Sequence, residues 1–200
     1  MGNPNNLELH QGDNFIFGVD VSASMQTADC PGGAQRIEFL KEKTIQFARE
    51  ASKYDPDGID VLAFGHQVTP YPNVTADRAA DIIGALRANE GATMTHLLIN
   101  KAWTMHKAGK YEQTVLFIAT DGDPSDKEAV KKVIIDITQQ VGDEKEFKIS
   151  FLTVGQPTPA LTAYLTALDD DLKGAKYDIV DVKRLEDVDF MTAFVGALND

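Results

Sequence analysis

The sequence predicts an α/β fold: an open, doubly wound, mostly parallel sheet with helices on both faces, Rossmann-like, with one short antiparallel edge strand. Three observations carry this. Apolar runs of about five to eight residues alternate with segments whose apolar residues recur at helical spacing. The runs are apolar at consecutive positions, as strands buried on both faces are. Strands that alternate with helices are joined by right-handed crossovers, which wind the sheet outward in both directions.

The polar stretch 1–12 reads as a tail, and 13–200 as one domain. The first strand is the run Phe15-Ile16-Phe17-Gly18-Val19, which stops at Asp20. A loop containing Pro31-Gly32-Gly33 leads to a helix over 36–53, with Ile37, Leu40, Thr44, Phe47, Ala48 and Ala51 on one side. Pro56-Asp57-Gly58 is turn chemistry before a strand over 59–64. Residues 67–71 are expected to return at the sheet edge, blunted by Pro70 and Pro72.

Thr75 is placed to cap a helix running to about residue 89, and a second helix is expected over 96–107. Residues 113–120 read as a strongly apolar strand that ends in Asp121-Gly122-Asp123. Ser125-Asp126-Lys127-Glu128 has the spacing of a capping box for the helix behind it. Further strands are expected over 147–154 and 176–182, with a helix opened by Thr158-Pro159 between them. A closing helix over 187–198 would turn Met191, Phe194, Val195 and Leu198 inward.

Charge narrows the function. The 31 acidic residues against 19 basic ones give a net charge of −12, which opposes binding to nucleic acid or to an anionic membrane surface. No stretch approaches the ~20 apolar residues of a membrane span. The single cysteine, Cys30, excludes an internal disulfide and, with no signal-peptide pattern at the N-terminus, points to a cytoplasmic setting.

The chemistry gathers at the strand ends. Asp20, Ser22 and Ser24 place a carboxylate and two hydroxyls at alternate positions straight after the first strand. Asp121 follows a second strand, and Thr93 lies in the loop Gly91-Ala92-Thr93. In an open parallel sheet, ligands bind beyond the carboxyl ends of the strands where the winding reverses. If the two aspartate-bearing strands are neighbours there, five oxygen-bearing side chains meet. Each alone has an ordinary alternative as a cap or turn residue. Hard oxygens in such a cluster suit a cation such as Mg²⁺.

These positions resemble the von Willebrand factor type A domain, the integrin I-domain fold. Asp20-Val21-Ser22-Ala23-Ser24 is similar to its DxSxS motif, Thr93 to its single threonine and Asp121 to its final aspartate. The run Thr120–Asp126, TDGDPSD, resembles bacterial members. The resemblance implies an intact metal-ion-dependent adhesion site. Ser22, Ser24 and Thr93 would contact Mg²⁺ through their hydroxyls, directly or through water. Asp20 and Asp121 would bind the metal directly or hold its waters, and Mn²⁺ or Ca²⁺ could substitute. It also implies a binding module rather than an enzyme, one that captures an Asp or Glu carboxylate of a partner protein, such as a complex subunit or an AAA+ ATPase.

Two alternatives stay open. One is a metal-dependent hydrolase of Rossmann-like fold; against it, Ser22 stands where a haloacid-type phosphohydrolase needs its second aspartate, and no GxxxxGK, GxGxxG or GxSxG motif is present. The other is a scaffold subunit with a purely structural metal, enclosed by protein oxygens. Around the site, Cys30, His66, His96 and Asp123 are candidate rim or partner contacts, and Asp29 and Asp126 could extend the negative field.

Overall fold

Burial on both faces organises the sheet. The computed structural model describes residues 13–53 and 57–188. Strands β1 (Asp13–Asp20), β2 (Ile59–Phe64), β3 (Val68–Val74), β4 (Gln113–Thr120), β5 (Phe147–Thr153) and β6 (Val180–Arg184) form one sheet in the order β3-β2-β1-β4-β5-β6. All neighbours pair parallel except β2 and β3, so β3 is the antiparallel edge, and Pro70 and Pro72 lie on it. The chain moves outward from β1 through β2 to β3, then crosses back to lay β4 on the other side of β1. The winding therefore reverses between β1 and β4, the two strands that lead into Asp20 and Asp121.

Side chains of β1 alternate between two cores. Phe15, Phe17 and Val19 join Leu40 and Phe47 of α1 (Arg36–Ala51) and Ile83 of α2 (Ala76–Gly84). Ile16 faces the opposite core, with Leu98 and Trp103 of α3 (Thr95–Gly109), Ile134 of α4 (Lys127–Thr138) and Leu165 of α5 (Pro159–Asp170). Gly18 is the point of closest approach on that side. A Cβ there would fall 2.6 Å from Leu98 Cδ2 and 3.3 Å from the Phe117 carbonyl oxygen. The missing side chain lets α3 lie directly on β1.

Several expectations differ in detail. Helix α2 ends at Gly84 and not near residue 89, and β3 runs on to Val74. Thr75 stands at the N-cap of α2, but its hydroxyl makes no capping bond. Ser52, at the end of α1, accepts from the Ala76 amide at 3.0 Å instead, because α1 and α2 pack side by side. The cap of α4 is Asp126, which accepts from the Ala129 amide at 2.8 Å, and not Ser125. A carboxylate is the stronger acceptor at the positive end of a helix, and Ser125 is engaged elsewhere. The last strand runs four residues later at its start than expected and is confined to Val180–Arg184. The helix expected over 187–198 lies, beyond Val188, outside the described residues, as does the tail 1–12. Among the described residues no helix is long and apolar enough to cross a membrane.

Candidate metal centre

The β1–β4 junction places Asp20 under the carboxyl edge of the sheet with 0% of its surface exposed. A carboxylate taken wholly out of water must be hydrogen-bonded. Its Oδ1 accepts from the Ser22 amide at 2.8 Å, and its Oδ2 accepts from the Thr120 hydroxyl at 2.5 Å. Thr120 Oγ1 in turn accepts from the Gly122 amide at 3.0 Å, so the last residue of β4 ties Asp20 to the Asp121 turn. Burial pushes the Asp20 carboxyl up to about 6. The Thr120 and Ser22 hydrogen bonds work against that rise, and the nearby Asp121 carboxylate adds to it.

Ser22 and Ser24 follow on the turn out of β1. Their hydroxyl oxygens lie 3.0 Å apart; Ser22 is buried and Ser24 is exposed, so the pair runs from the interior to the surface. The turn is held by a two-way backbone bridge: the Ala23 amide donates to the Glu90 carbonyl at 2.8 Å and the Glu90 amide to the Val21 carbonyl at 3.1 Å. Glu90 continues into the β2 exit, where its Oε2 accepts from the His66 and Gln67 amides.

Thr93, three residues past Glu90, is buried. Ser125 clamps it: the Thr93 amide donates to Ser125 Oγ at 3.0 Å, and the Ser125 amide donates back to the Thr93 carbonyl at 3.0 Å. The Met94 amide donates to the Gly65 carbonyl at 2.8 Å. The Thr93 loop is thereby fastened to the loops after β1, β2 and β4, all at one edge of the sheet. Asp121, nearly buried, accepts at Oδ2 from Arg36 Nη1 at 3.0 Å. Arg36 is the first residue of α1, and its other face forms a forked pair with Asp29, which holds the Asp29 carboxyl below the usual carboxylate range.

The remaining expected residues spread out. His66 is exposed at the β2 exit. His96 lines a groove of about 470 Å³ between α3 and α4 together with Trp103, and its Nδ1 is buried without a hydrogen-bond partner. Asp123 is exposed and pairs with Lys127 at 3.0 Å. Cys30 is enclosed, and burial pushes its thiol up. Asp29 and Asp126 are committed to Arg36 and to the α4 cap.

Sequence reasoning passed over Arg36, Thr120, Ser125 and Glu90. Arg36 had a signal: a cation in the first turn of a helix opposes the dipole and calls for carboxylate partners. Thr120, inside the TDG run, had a weaker one. Nothing local marks Ser125 or Glu90, whose bonds cross more than twenty residues.

The five candidate residues offer oxygen alone: two carboxylates and three hydroxyls. Among the described residues no group of three or more His, Cys, Asp or Glu side chains forms a metal-sized cluster, so the two carboxylates would need other oxygens beside them to hold a cation. That mixture is the chemistry of a small hard cation that keeps some of its waters.

The architecture recurs in solved structures. The manganese-loaded TRAP protein of Plasmodium vivax superposes with a TM-score of 0.61 at 13% identity, over 92% of this chain and 73% of that one. The von Willebrand factor type A protein from Catenulispora acidiphila gives 0.56 at 18% identity, over 93% of this chain and 42% of that one. The chain has the von Willebrand factor type A fold. The pilus adhesin SpaC of Lactobacillus rhamnosus GG carries the same fold at a TM-score of 0.61 and 12% identity, over 94% of this chain and 30% of that one. In sequence, the chain is 24% identical over 145 residues to inter-alpha-trypsin inhibitor heavy chain H1 of Mesocricetus auratus. That match spans 66% of this chain but 15% of the hamster protein. No protein-family model matches. In this type A fold the β1–β4 reversal, where Asp20 and Asp121 stand, is the general ligand position of doubly wound sheets.

Proposed function

We propose that this chain is a metal-dependent protein-binding module, with Mg²⁺ held by Asp20, Ser22, Ser24, Thr93 and Asp121. The observation that carries the reading is Asp20 itself. A carboxylate with no exposed surface, its proton affinity raised by burial and by a second carboxylate beside it, is costly to keep ionised. A divalent cation would offset that cost. The adjoining Ser22 and Ser24 hydroxyls, 3.0 Å apart and leading outward, supply neutral oxygens on the solvent side.

The residues have separable tasks. Asp20 and Asp121 supply the negative charge, and the hydroxyls of Ser22, Ser24 and Thr93 supply neutral donors that leave much of the cation's charge uncompensated. When bound, Mg²⁺ provides an electrophilic centre to which a partner's Asp or Glu carboxylate can bind. Mn²⁺ and Ca²⁺ are the expected substitutes, and the likeness to the manganese-loaded TRAP protein supports the first. The exposure of Ser24 supports a binding role over a purely structural metal. An AAA+ ATPase or another complex subunit is the class of partner we infer.

The test is capture of the partner from a lysate by the wild type and by Asp20→Ala and Asp121→Ala variants, each with Mg²⁺ and with EDTA. The reading requires binding by the wild type in Mg²⁺ alone. Equal capture in every condition would overturn it.

A further inference from the structure

Arg36 sits where a helix least favours a cation, at the first position of α1. Two carboxylates from distant segments hold it there. Its Nε donates to Asp29 Oδ1 at 2.8 Å and its Nη2 to Asp29 Oδ2 at 2.6 Å, a forked pair. Its Nη1 donates to Asp121 Oδ2 at 3.0 Å. Asp29 Oδ2 also accepts from the Gln156 amide at 3.2 Å, in the loop after β5. Gly155 closes over the pair. It has φ +74°, and a Cβ added to it would lie 2.4 Å from Arg36 Nε and 2.5 Å from Asp29 Oδ1. The loop after β5 therefore reaches the guanidinium only because residue 155 has no side chain.

We propose that Arg36 is a positioning residue for the cation site, and that the Asp29–Arg36–Asp121 relay sets how much negative charge Asp121 presents to a divalent cation. This rests on the metal-binding reading of Asp20 and Asp121. Arg36 occupies one oxygen of Asp121, Oδ2, which restrains the carboxylate's rotation. Its positive charge, bonded to a carboxylate that would face the cation, opposes metal binding. Asp29 cancels most of that charge through the forked pair. Removing Arg36 and removing Asp29 must then act in opposite directions.

That opposition is the test. Mg²⁺ and, separately, Mn²⁺ are titrated by calorimetry into the full chain as wild type, Arg36→Gln, Asp29→Asn and the double variant. Arg36→Gln keeps a hydrogen-bond donor toward Asp121 but no charge, and is expected to bind about tenfold tighter. Asp29→Asn leaves the guanidinium uncompensated, and is expected to bind about tenfold weaker. The double variant should resemble Arg36→Gln. A merely structural pair would weaken binding in both single variants, and that result, or no change in either, overturns the proposal. A wild type that binds neither metal overturns the metal reading instead. Should Arg36→Gln fail to fold by circular dichroism, Asp29→Asn beside Arg36→Lys decides: the lysine keeps the charge, so its affinity should stay near wild type while that of Asp29→Asn falls.

Discussion

Thr120 donates a 2.5 Å hydrogen bond to Asp20 across the β1–β4 junction, one hundred residues away in the chain. The same hydroxyl accepts from the Gly122 amide, so a single oxygen joins the two strands at the point where the sheet reverses. Thr120→Val leaves Asp20 Oδ2 and the Gly122 amide unpaired in a buried site. The expected loss is about 1–3 kcal/mol of stability in EDTA, from urea unfolding. Thr120→Ser, which keeps the hydroxyl, should recover most of it.

Asp20 gives the metal-free fold a pH dependence of definite sign. Its ordinary carboxyl value of 3.8 rises to about 6 in the folded protein. A raised carboxyl holds its proton better folded than unfolded. Its contribution is therefore fully present below about pH 3.8 and is lost as pH climbs through about 6. At 1.36 kcal/mol per pH unit between those values, the cost at neutral pH is about 3 kcal/mol. In EDTA, wild type minus Asp20→Asn should show stability falling from pH 4 to pH 6.5 and flat above. A difference curve that rises over that window would contradict the burial argument.

Gly18 controls where α3, and with it the Thr93 loop, can lie. Gly18→Ala sets a methyl 2.6 Å from Leu98 Cδ2 in a filled core. Overpacking of this kind costs about 1–3 kcal/mol. Because α3 must move, Mg²⁺ affinity should fall along with stability. Adding Leu98→Ala to make room should restore affinity more fully than stability. Thermal melts and Mg²⁺ titrations of the three variants check this.

Ser125 and Asp126 stand side by side with separable duties. Ser125→Ala releases Thr93 but leaves the α4 cap intact, so it should weaken Mg²⁺ binding with little change in helix content. Asp126→Ala removes the cap and should cost about 1 kcal/mol, with metal affinity nearly unchanged. Parallel unfolding and titration of the two variants tests the division, and equal effects on affinity would refute it.

The hydrophobic pattern made the strands and most helices legible, because a strand buried on both faces must be apolar throughout and a covering helix must be apolar on one side. Strands β2 and β4 were readable to the residue for that reason. Strand β6 was not, since as an edge strand it carries Asp181, Lys183 and Arg184 within a short apolar remnant. Helix starts were readable as regions but not as partners. A hydroxyl can cap the helix it precedes or bond a loop far away, as Ser125 does, and the local sequence is the same in both cases.

The sequence by itself determined the fold class and marked five oxygen-bearing residues as candidates, since periodicity and short motifs are local properties. What only the tertiary structure decided is that β1 and β4 are neighbours at the reversal, that Asp20 is wholly buried, and that Arg36 leans on Asp121 with Asp29 behind it. Those facts depend on strand order and on contacts between segments up to a hundred residues apart. No local preference of the chain encodes them; they follow from how the two cores close around the sheet.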